Sequence, residues 1–298
     1  MPFSHPNWLH FSMNNESTPT VCVIIINYNG ASFLTNCLDS VIAQRTFFND
    51  VSIIVLDNAS TDESVSILNQ YAEDITLVKN NHNNGFAPAV NQVLPMTQAP
   101  YLWLLNNDTE FNHDTDILTP IIDYFNDHND VVGLSPKLLN TNGTLQAQGS
   151  SLNAWLFKSS NTRQVSFLSG AALFVRTDFF KYIGGFDEQL VFYNDDIDFA
   201  KQVRHHNKKL IYYPSIEVTH HGGLSTKFRP IDSIIDGYRG SLHLCKKFYS
   251  PVIFYIYLMC MRFLIQLRLL YYAVIPSKHG SEWSSKLKEF QQFIHDQY

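Results

Sequence analysis

The 298-residue sequence predicts an α/β fold, a mostly parallel doubly wound sheet followed by a helical appendage. Three observations carry that expectation. Short β-branched runs alternate with segments of helical period over the first half of the chain. Each run ends on polar residues rather than on another apolar segment. Finally, the last seventy or so residues lose the alternation and become helical, basic and apolar.

The elements follow in order. Residues 1–19, Ser, Asn and Pro mixed with isolated aromatics, read as a poorly ordered leader. Strands are expected at Val21–Ile26, Val51–Leu56, Ile75–Val78 and Tyr101–Leu105, with helices between them marked by Phe33/Leu34, Cys37/Leu38, Val41/Ile42 and by Val65, Leu68 and Tyr71. Strand and helix in alternation argue a parallel sheet with helices on both faces. A loop-rich stretch runs to about Arg163, followed by a strand at Ala171–Val175 and a turn at Gly184–Gly185. A helix is expected from Asn194, as its cap, to about His205, and a strand at Leu210–Tyr213. The expected division is a leader at 1–19, a catalytic domain at 20–225 and a helical appendage at 226–298.

Composition narrows the class. Residues 1–225 hold 11 Lys and Arg against 22 Asp and Glu, whereas residues 226–298 hold 10 against 5. A basic tail rich in Phe, Tyr and Leu suits an anionic membrane surface better than nucleic acid, so no nucleic-acid partner is expected. The tail's core, Pro251–Ile275, is apolar apart from Arg262, Gln266 and Arg268. A span through the bilayer would cost about 2.5–3.5 kcal/mol for each arginine near its centre, so interfacial docking is expected instead. The first 44 residues contain no Lys or Arg and Val21–Ile26 is too short to span, which places the body in the cytoplasm, peripheral on the inner face of the membrane. Cys22, Cys37, Cys245 and Cys260 include no C-x-x-C pair and read as reduced core residues.

In doubly wound sheets ligands sit beyond the carboxyl ends of the strands. The residues there are Asn27-Tyr28-Asn29-Gly30, Asp57-Asn58-Ala59-Ser60 and Asn106-Asn107-Asp108. Asp108 can hold a divalent cation, Mg²⁺ or Mn²⁺, through hard oxygen ligands, although an Asp in such a loop is ordinarily a turn residue. Asn84-Gly85-Phe86 enters a helix through a glycine, which leaves N–H groups open to phosphate. Neither G-x-G-x-x-G nor G-x-x-x-x-G-K-[ST] is present, against dinucleotide redox chemistry and P-loop hydrolysis. Asn194-Asp195-Asp196-Ile197-Asp198 puts three carboxylates in four residues at a helix start, more than dipole compensation needs. Successive helical residues lie about 100° apart, so Asp195 and Asp198 are expected on one face and Asp196 on another. Glu217 to Gly223 offers His220 and His221 beside glycines, and a His paired with Asp108 would complete a metal site.

These motifs, in one unbroken order from Val21 to Thr226, resemble glycosyltransferase family 2 and its rhamnosyltransferase-like enzymes of bacterial surface polysaccharide assembly. The resemblance implies a GT-A-type fold and an inverting, metal-dependent transferase. Its donor would be a dTDP- or UDP-sugar, dTDP-rhamnose among them, and its acceptor a cell-envelope glycan or a lipid-linked glycan. It implies further that Asp57 binds the nucleotide base, with Asn27, Tyr28 and Asn29 beside it, and that Asn84 and Gly85 flank the sugar diphosphate. Asn106-Asn107-Asp108 occupies the family's D-x-D position. Asp108 would bind the metal with His220, His221 being the second choice. Asp195-Asp196 matches the acidic pair, Asp196 as the catalytic base and Asp195 orienting the acceptor, and Gly184-Gly185-Phe186-Asp187-Glu188 matches the segment leading into it. The sequence departs from the pattern at Asn106, which removes one negative charge and implies a weaker hold on the metal. Two rival readings remain: a catalytically weak nucleotide-sugar-binding protein, and a sugar nucleotidyltransferase. The second lacks support, because Asn27–Ser32 contains no basic residue.

Overall fold

The computed structural model describes residues 18–146, 148, 154–190, 193–222, 230–274 and 279–298. Most of the expected leader, residues 226–229 at the start of the appendage, and Ile275 lie outside them. The first half matches the expected alternation: β1 (Val21–Asn27), α1 (Ala31–Ala43), β2 (Val51–Asp57), α2 (Ser64–Gln70), β3 (Thr76–Lys79), α3 (Phe86–Val93) and β4 (Tyr101–Asn106). There follow β5 (Thr109–Glu110), α4 (Leu118–Asp127), β6 (Val131–Leu139), β7 (Arg163–Val165), β8 (Ala172–Arg176), α5 (Thr177–Tyr182), α6 (Asp195–His205) and β9 (Lys209–His220). Helices α7 (Pro230–Phe248), α8 (Pro251–Val274) and α9 (Gly280–Gln297) complete the chain.

The strands form one sheet in the order β3-β2-β1-β4-β8-β6-β9-β5, with β7 beside β9. β3, β2, β1 and β4 are parallel neighbours, as the alternation requires. The far half is mixed, because β8 runs antiparallel to both β4 and β6. Side chains alternate across β1: Val21, Val23 and Ile25 enter one core cluster with Leu34, Cys37, Leu38 and Val41 of α1, while Cys22 and Ile24 enter the opposite cluster with Ala87, Val90 and Val93 of α3. The α1 contacts recur at the spacing of one helical face. Trp103 is fully buried between Phe111 and Phe174, with ring centroids 5.3 and 4.6 Å away. Truncating a side chain so placed costs about 3–5 kcal/mol.

Two expectations are corrected. The last strand does not stop at Tyr213 but runs to His220. Pro214 lacks an N–H and interrupts the ladder, so the register with β6 slips between Pro136 and Lys137 and resumes at Glu217. The pattern stops at the proline; the strand does not. Asn194 precedes α6 but does not cap it. It is left-handed at φ 72°, makes no side-chain capping bond, and donates its amide to Gly237 O of α7 at 3.1 Å.

The three C-terminal helices share a core of their own, in which Ile231, Ile235 and Leu242 of α7, Phe254, Leu258, Met261 and Ile265 of α8, and Leu287, Phe290 and Ile294 of α9 meet. Of the four cysteines, Cys22, Cys37 and Cys245 are buried as expected, whereas Cys260 on α8 is exposed.

Candidate active site

A cleft of about 310 Å³ opens at the carboxyl ends of β1, β2 and β4. One wall comes from strand-end loops. Parallel register sets Asn27 level with Asp57 and Ile26 level with Asn106, so the polar residues after the strands meet without any long connection. Asn107 Nδ2 donates to Asn27 Oδ1 at 2.6 Å, and Asn27 Nδ2 donates to Asp57 Oδ1 at 2.8 Å. Ser60 closes the chain onto the Asp57 carboxylate through its hydroxyl at 2.6 Å and its N–H at 3.0 Å. A Cβ on Gly30 would stand 2.0 Å from Asn107 Nδ2, so only glycine lets this network close. Gly85, at φ 88°, turns the chain into α3. Asn58 holds that turn by donating to Gly85 O at 3.0 Å.

The floor is built by a pairing the sequence did not announce. β5 follows Asp108 directly and pairs antiparallel with the end of β9, Thr109 opposite His220. His220 Nε2 therefore stands 3.2 Å from Asp108 Oδ1, and Asn106 Nδ2 stands 3.3 Å from the same nitrogen. The other ring nitrogen, Nδ1, faces Gln146 Oε1 at 2.7 Å. Gln146 Nε2 donates to His220 O at 3.2 Å and to Asn140 Oδ1 at 3.3 Å, which fixes the amide with its oxygen toward the ring. Nδ1 then donates to Gln146, and Nε2 is the ring nitrogen turned to Asp108 and the Asn106 amide, the one through which the ring could bind a metal ion. One carboxylate oxygen and one imidazole nitrogen form a donor pair suited to a divalent ion whose other ligands come from a diphosphate, while the Asn106 amide presents its N–H to the same point. Among the described residues no three His, Cys, Asp or Glu side chains converge as a self-sufficient metal site, so a bound ion would depend on its ligand. His221 is turned away: Nε2 lies 3.2 Å from Glu110 Oε1 and the ring packs on Phe33 at 4.5 Å. It does not share the site with Asp108, which corrects it as the second choice.

The opposite wall carries Asp195 and Asp196, facing Ser169, Gly170 and Ala171 ahead of β8. Burial pushes the Asp195 carboxyl up, and it pushes Asp196 higher still, with the neighbouring Asp195 charge adding to the effect. Asp198 does not join Asp195 on a shared face. It turns out of the cleft to Lys247 of α7, 2.7 Å away, while Asp195 and Asp196 both line the cleft. Lys247 also meets Asp187 Oδ2 at 2.7 Å, and His243 meets the same oxygen at 2.8 Å. Partial burial alone would raise the Asp187 carboxyl, but the hydrogen bonds from Lys247 and His243 outweigh it and hold the group at about 2. The acidic wall is thus fastened to α7 at both ends, through Asp187 before it and Asp198 after it.

Of the residues singled out from sequence, Tyr28, Gly85, Asn106, Asn107, Asp108, Asp195, Asp196 and His220 line the cleft. Asn27, Asn29, Asp57 and Asn84 do not. Asp57 is 2% exposed and its carboxylate is already bonded to Asn27 and Ser60, so it braces the wall from behind. Asn29 accepts from Thr61 N at 2.8 Å and ties the two loops together. Asn58, Asn83 and Phe86, from the strand-end and glycine segments already singled out, line it too, whereas Ser169 and Tyr193 were missed. Tyr193, directly before the acidic stretch and left-handed at φ 65°, was open to discovery by position alone. The described lining holds three carboxylates and no Lys or Arg.

The family profile described as Glycosyl transferase family 2 matches residues 22–183. Over 242 residues the chain is 22% identical to an N-acetylglucosaminyl-diphospho-decaprenol L-rhamnosyltransferase of Mycobacterium tuberculosis, covering 70% of this chain and 78% of that protein. A Teichoic acid poly(glycerol phosphate) polymerase of Staphylococcus epidermidis is 29% identical over 115 residues, 33% of this chain but only 16% of the polymerase. Among solved structures, S. aureus TarS in complex with UDP-GlcNAc aligns at TM-score 0.59 and 17% identity, over 92% of this chain and 81% of that one. A mannosyltransferase from Pyrobaculum calidifontis in complex with GDP-Man and Mn²⁺ aligns at 0.57 and 16% identity, over 92% and 85%. The fold is therefore that of GT-A glycosyltransferases, and the chain belongs to glycosyl transferase family 2.

Proposed function

We propose that the cleft moves one sugar from a UDP- or dTDP-sugar to a hydroxyl of a cell-envelope glycan or lipid-linked acceptor, with inversion at the anomeric carbon. We propose too that residues 20–225 form the catalytic part and 226–298 the helical part, acting at the cytoplasmic face of the membrane. The observation that carries this reading is the division of charge in the cleft. Its described lining carries three carboxyl groups and no Lys or Arg, so a diphosphate is best accommodated there when positive charge comes with it. Asp108 and His220, with Asn106 beside them, are the residues that would hold Mg²⁺ or Mn²⁺, and such an ion would neutralise charge on the departing diphosphate. The rhamnosyltransferase relative, by its name, supports a deoxyhexose such as rhamnose and a lipid-linked acceptor.

The chain's own residues do the rest. Tyr28, half exposed at the mouth, offers a ring beside Asn58 and Asn83 for the nucleoside. Gly85 and Phe86 present the start of α3 to phosphate. Asp196 takes the proton from the acceptor hydroxyl as its oxygen attacks the anomeric carbon, and the C–O bond to the diphosphate breaks on the opposite face. A carboxyl raised by burial and by Asp195 is a stronger base than an ordinary aspartate. Asp195, beside it, orients the acceptor. Incubating the protein with UDP-, dTDP- and GDP-sugars tests the reading. Release of a nucleoside diphosphate from a UDP- or dTDP-sugar, abolished by chelator, is expected; turnover indifferent to chelator removes the metal, and release of monophosphate or pyrophosphate points to nucleotidyl transfer.

A further inference from the structure

Helix α8 buries one narrow stripe, Phe254, Leu258, Met261 and Ile265, against α7 and α9. Tyr257, Leu269 and Tyr272 flank that stripe half-buried, and the side opposite it is bare. Ile256, Met259, Phe263, Leu264, Leu267 and Leu270 are each at least half exposed, Phe263 at 62% and Leu270 at 66%. Such a face is far larger than the scattered apolar residues of an ordinary surface. The 24 residues of α8 are long and apolar enough to cross a membrane, and they contain Arg262 and Arg268 but no Asp or Glu.

Two observations decide how this helix meets lipid. Helix α9 packs antiparallel along nearly all of it, Tyr298 on Phe254 at 5.2 Å near one end and Trp283 on Tyr272 at 6.0 Å near the other. A crossing α8 would drag Lys286, Lys288 and Glu289 of α9 into hydrocarbon with it, where charged side chains are costly. Beside the bare face, α8 and α9 enclose a groove of about 530 Å³ lined, among the described residues, by Arg262, Gln266, Lys288, Gln291, Gln292 and His295, with the Asp296 carboxylate accepting from Gln292 Nε2 at 2.8 Å. Arg262 and Gln266 lie one turn from Met259 and Phe263, on the edge of the apolar face. Among the described residues Arg262, Lys288 and His295 form no ion pair. Arg268, by contrast, is taken up inside the helical unit, stacked over Tyr238 at 5.6 Å and over Trp283 at 5.9 Å.

We infer that α8 lies in the plane of an anionic membrane, its bare face among the acyl chains and its Arg262/Lys288/His295 groove occupied by lipid phosphate. Hydrocarbon and phosphate are the two things this surface complements side by side. A second copy of the chain would match the apolar face but bring two cationic flanks together. The surface is independent of the catalytic cleft, so vesicle binding and sugar transfer can fail separately.

The test is sedimentation of the full chain with vesicles of phosphatidylcholine alone or containing one third phosphatidylglycerol. Binding to the anionic vesicles is expected, falling about fivefold for each charge removed in R262Q/K288Q and to background in I256E/F263E, with nucleotide binding and thermal melting unchanged. Should I256E/F263E unfold, R262Q/K288Q and Cys260 still decide. Cys260, exposed on the bare face, should lose reactivity toward a water-soluble maleimide when vesicles bind, while a cysteine placed by Glu289→Cys keeps it. Wild-type protein left in the supernatant, equal binding of R262Q/K288Q, or protection of both cysteines overturns the proposal. So does a solution dimer that I256E/F263E dissociates with vesicle binding intact.

Discussion

The two walls of the cleft are held by different means. Asn107, Asn27, Asp57 and Ser60 brace one another at the ends of neighbouring parallel strands, where register alone brings them level. Asp195 and Asp196 open helix α6 directly behind a two-residue turn, not at the end of a strand. Tyr193 and Asn194 ahead of them are both left-handed, a conformation that costs a non-glycine residue of order 1–3 kcal/mol unless its surroundings impose it. Those surroundings are α7, which takes the Asn194 amide at Gly237 and the carboxylates of Asp187 and Asp198 at Lys247. The strand-end wall is thus set by register in the sheet, whereas the acidic wall also depends on docking between the α/β part and the C-terminal helices. Damage to the acidic wall should therefore cost turnover and spare donor binding, and each substitution below probes that division.

The largest effect is expected from Asp196→Asn, which keeps size and most hydrogen bonds but removes the proton acceptor. Turnover should fall by ~10²- to 10⁴-fold with nucleotide affinity unchanged, measured by steady-state transfer beside a binding titration. Transfer within a few-fold of wild type would place the base elsewhere, Asp195 being the next to test. A smaller but more telling effect is expected from Gly240→Ala on α7. Helix propensity alone favours alanine by about 1 kcal/mol. The new Cβ, however, would stand 2.4 Å from Asn194 Nδ2 and 3.3 Å from Leu190 Cδ2, so the Asn194 amide must leave its place. Little change in melting temperature is expected alongside a fall in kcat of up to about 10²-fold, the scale of an ångström's misplacement. Unchanged kcat would separate the acidic turn from α7.

The smallest effect is one of pH. Burial and the Asp195 charge raise the Asp196 carboxyl, and a base works only when ionised, so kcat should rise with pH through a limb above the ordinary carboxylate range. The same shift means that the folded form holds this proton more tightly than the unfolded chain, so the pair's contribution to stability declines as pH rises from the unfolded value through the raised one. Asp195→Asn removes the neighbouring charge and should move the rate limb to lower pH; an unmoved limb would uncouple the pair.

The same division explains how much was legible beforehand. The alternation of β-branched runs is enough to locate β1 to β4, and because strand ends gather at one edge, it brings Tyr28, Asn106, Asn107 and Asp108 to one cleft. What each does there was less legible. The bonds of Asp57 to Asn27 and Ser60, which bury its carboxylate behind the wall, have no signal in the sequence. His220 owes its place to the short β5 pairing and to a strand that continues past Pro214, and Gln146, which fixes its tautomer, follows β6 with no motif around it. Gly240 and Lys247 carry no local signal, and the one at Asn194 marks only a helix start, because the contacts they make join segments some forty to sixty residues apart.

Titrating UDP into the wild-type chain, Asp108→Ala and Asp196→Asn, each with Mn²⁺ and again in chelator, tests the central claim most directly. The account predicts saturable binding that needs Mn²⁺, is lost in Asp108→Ala, and survives in Asp196→Asn. Binding that ignores the metal, or that survives Asp108→Ala undiminished, would contradict it.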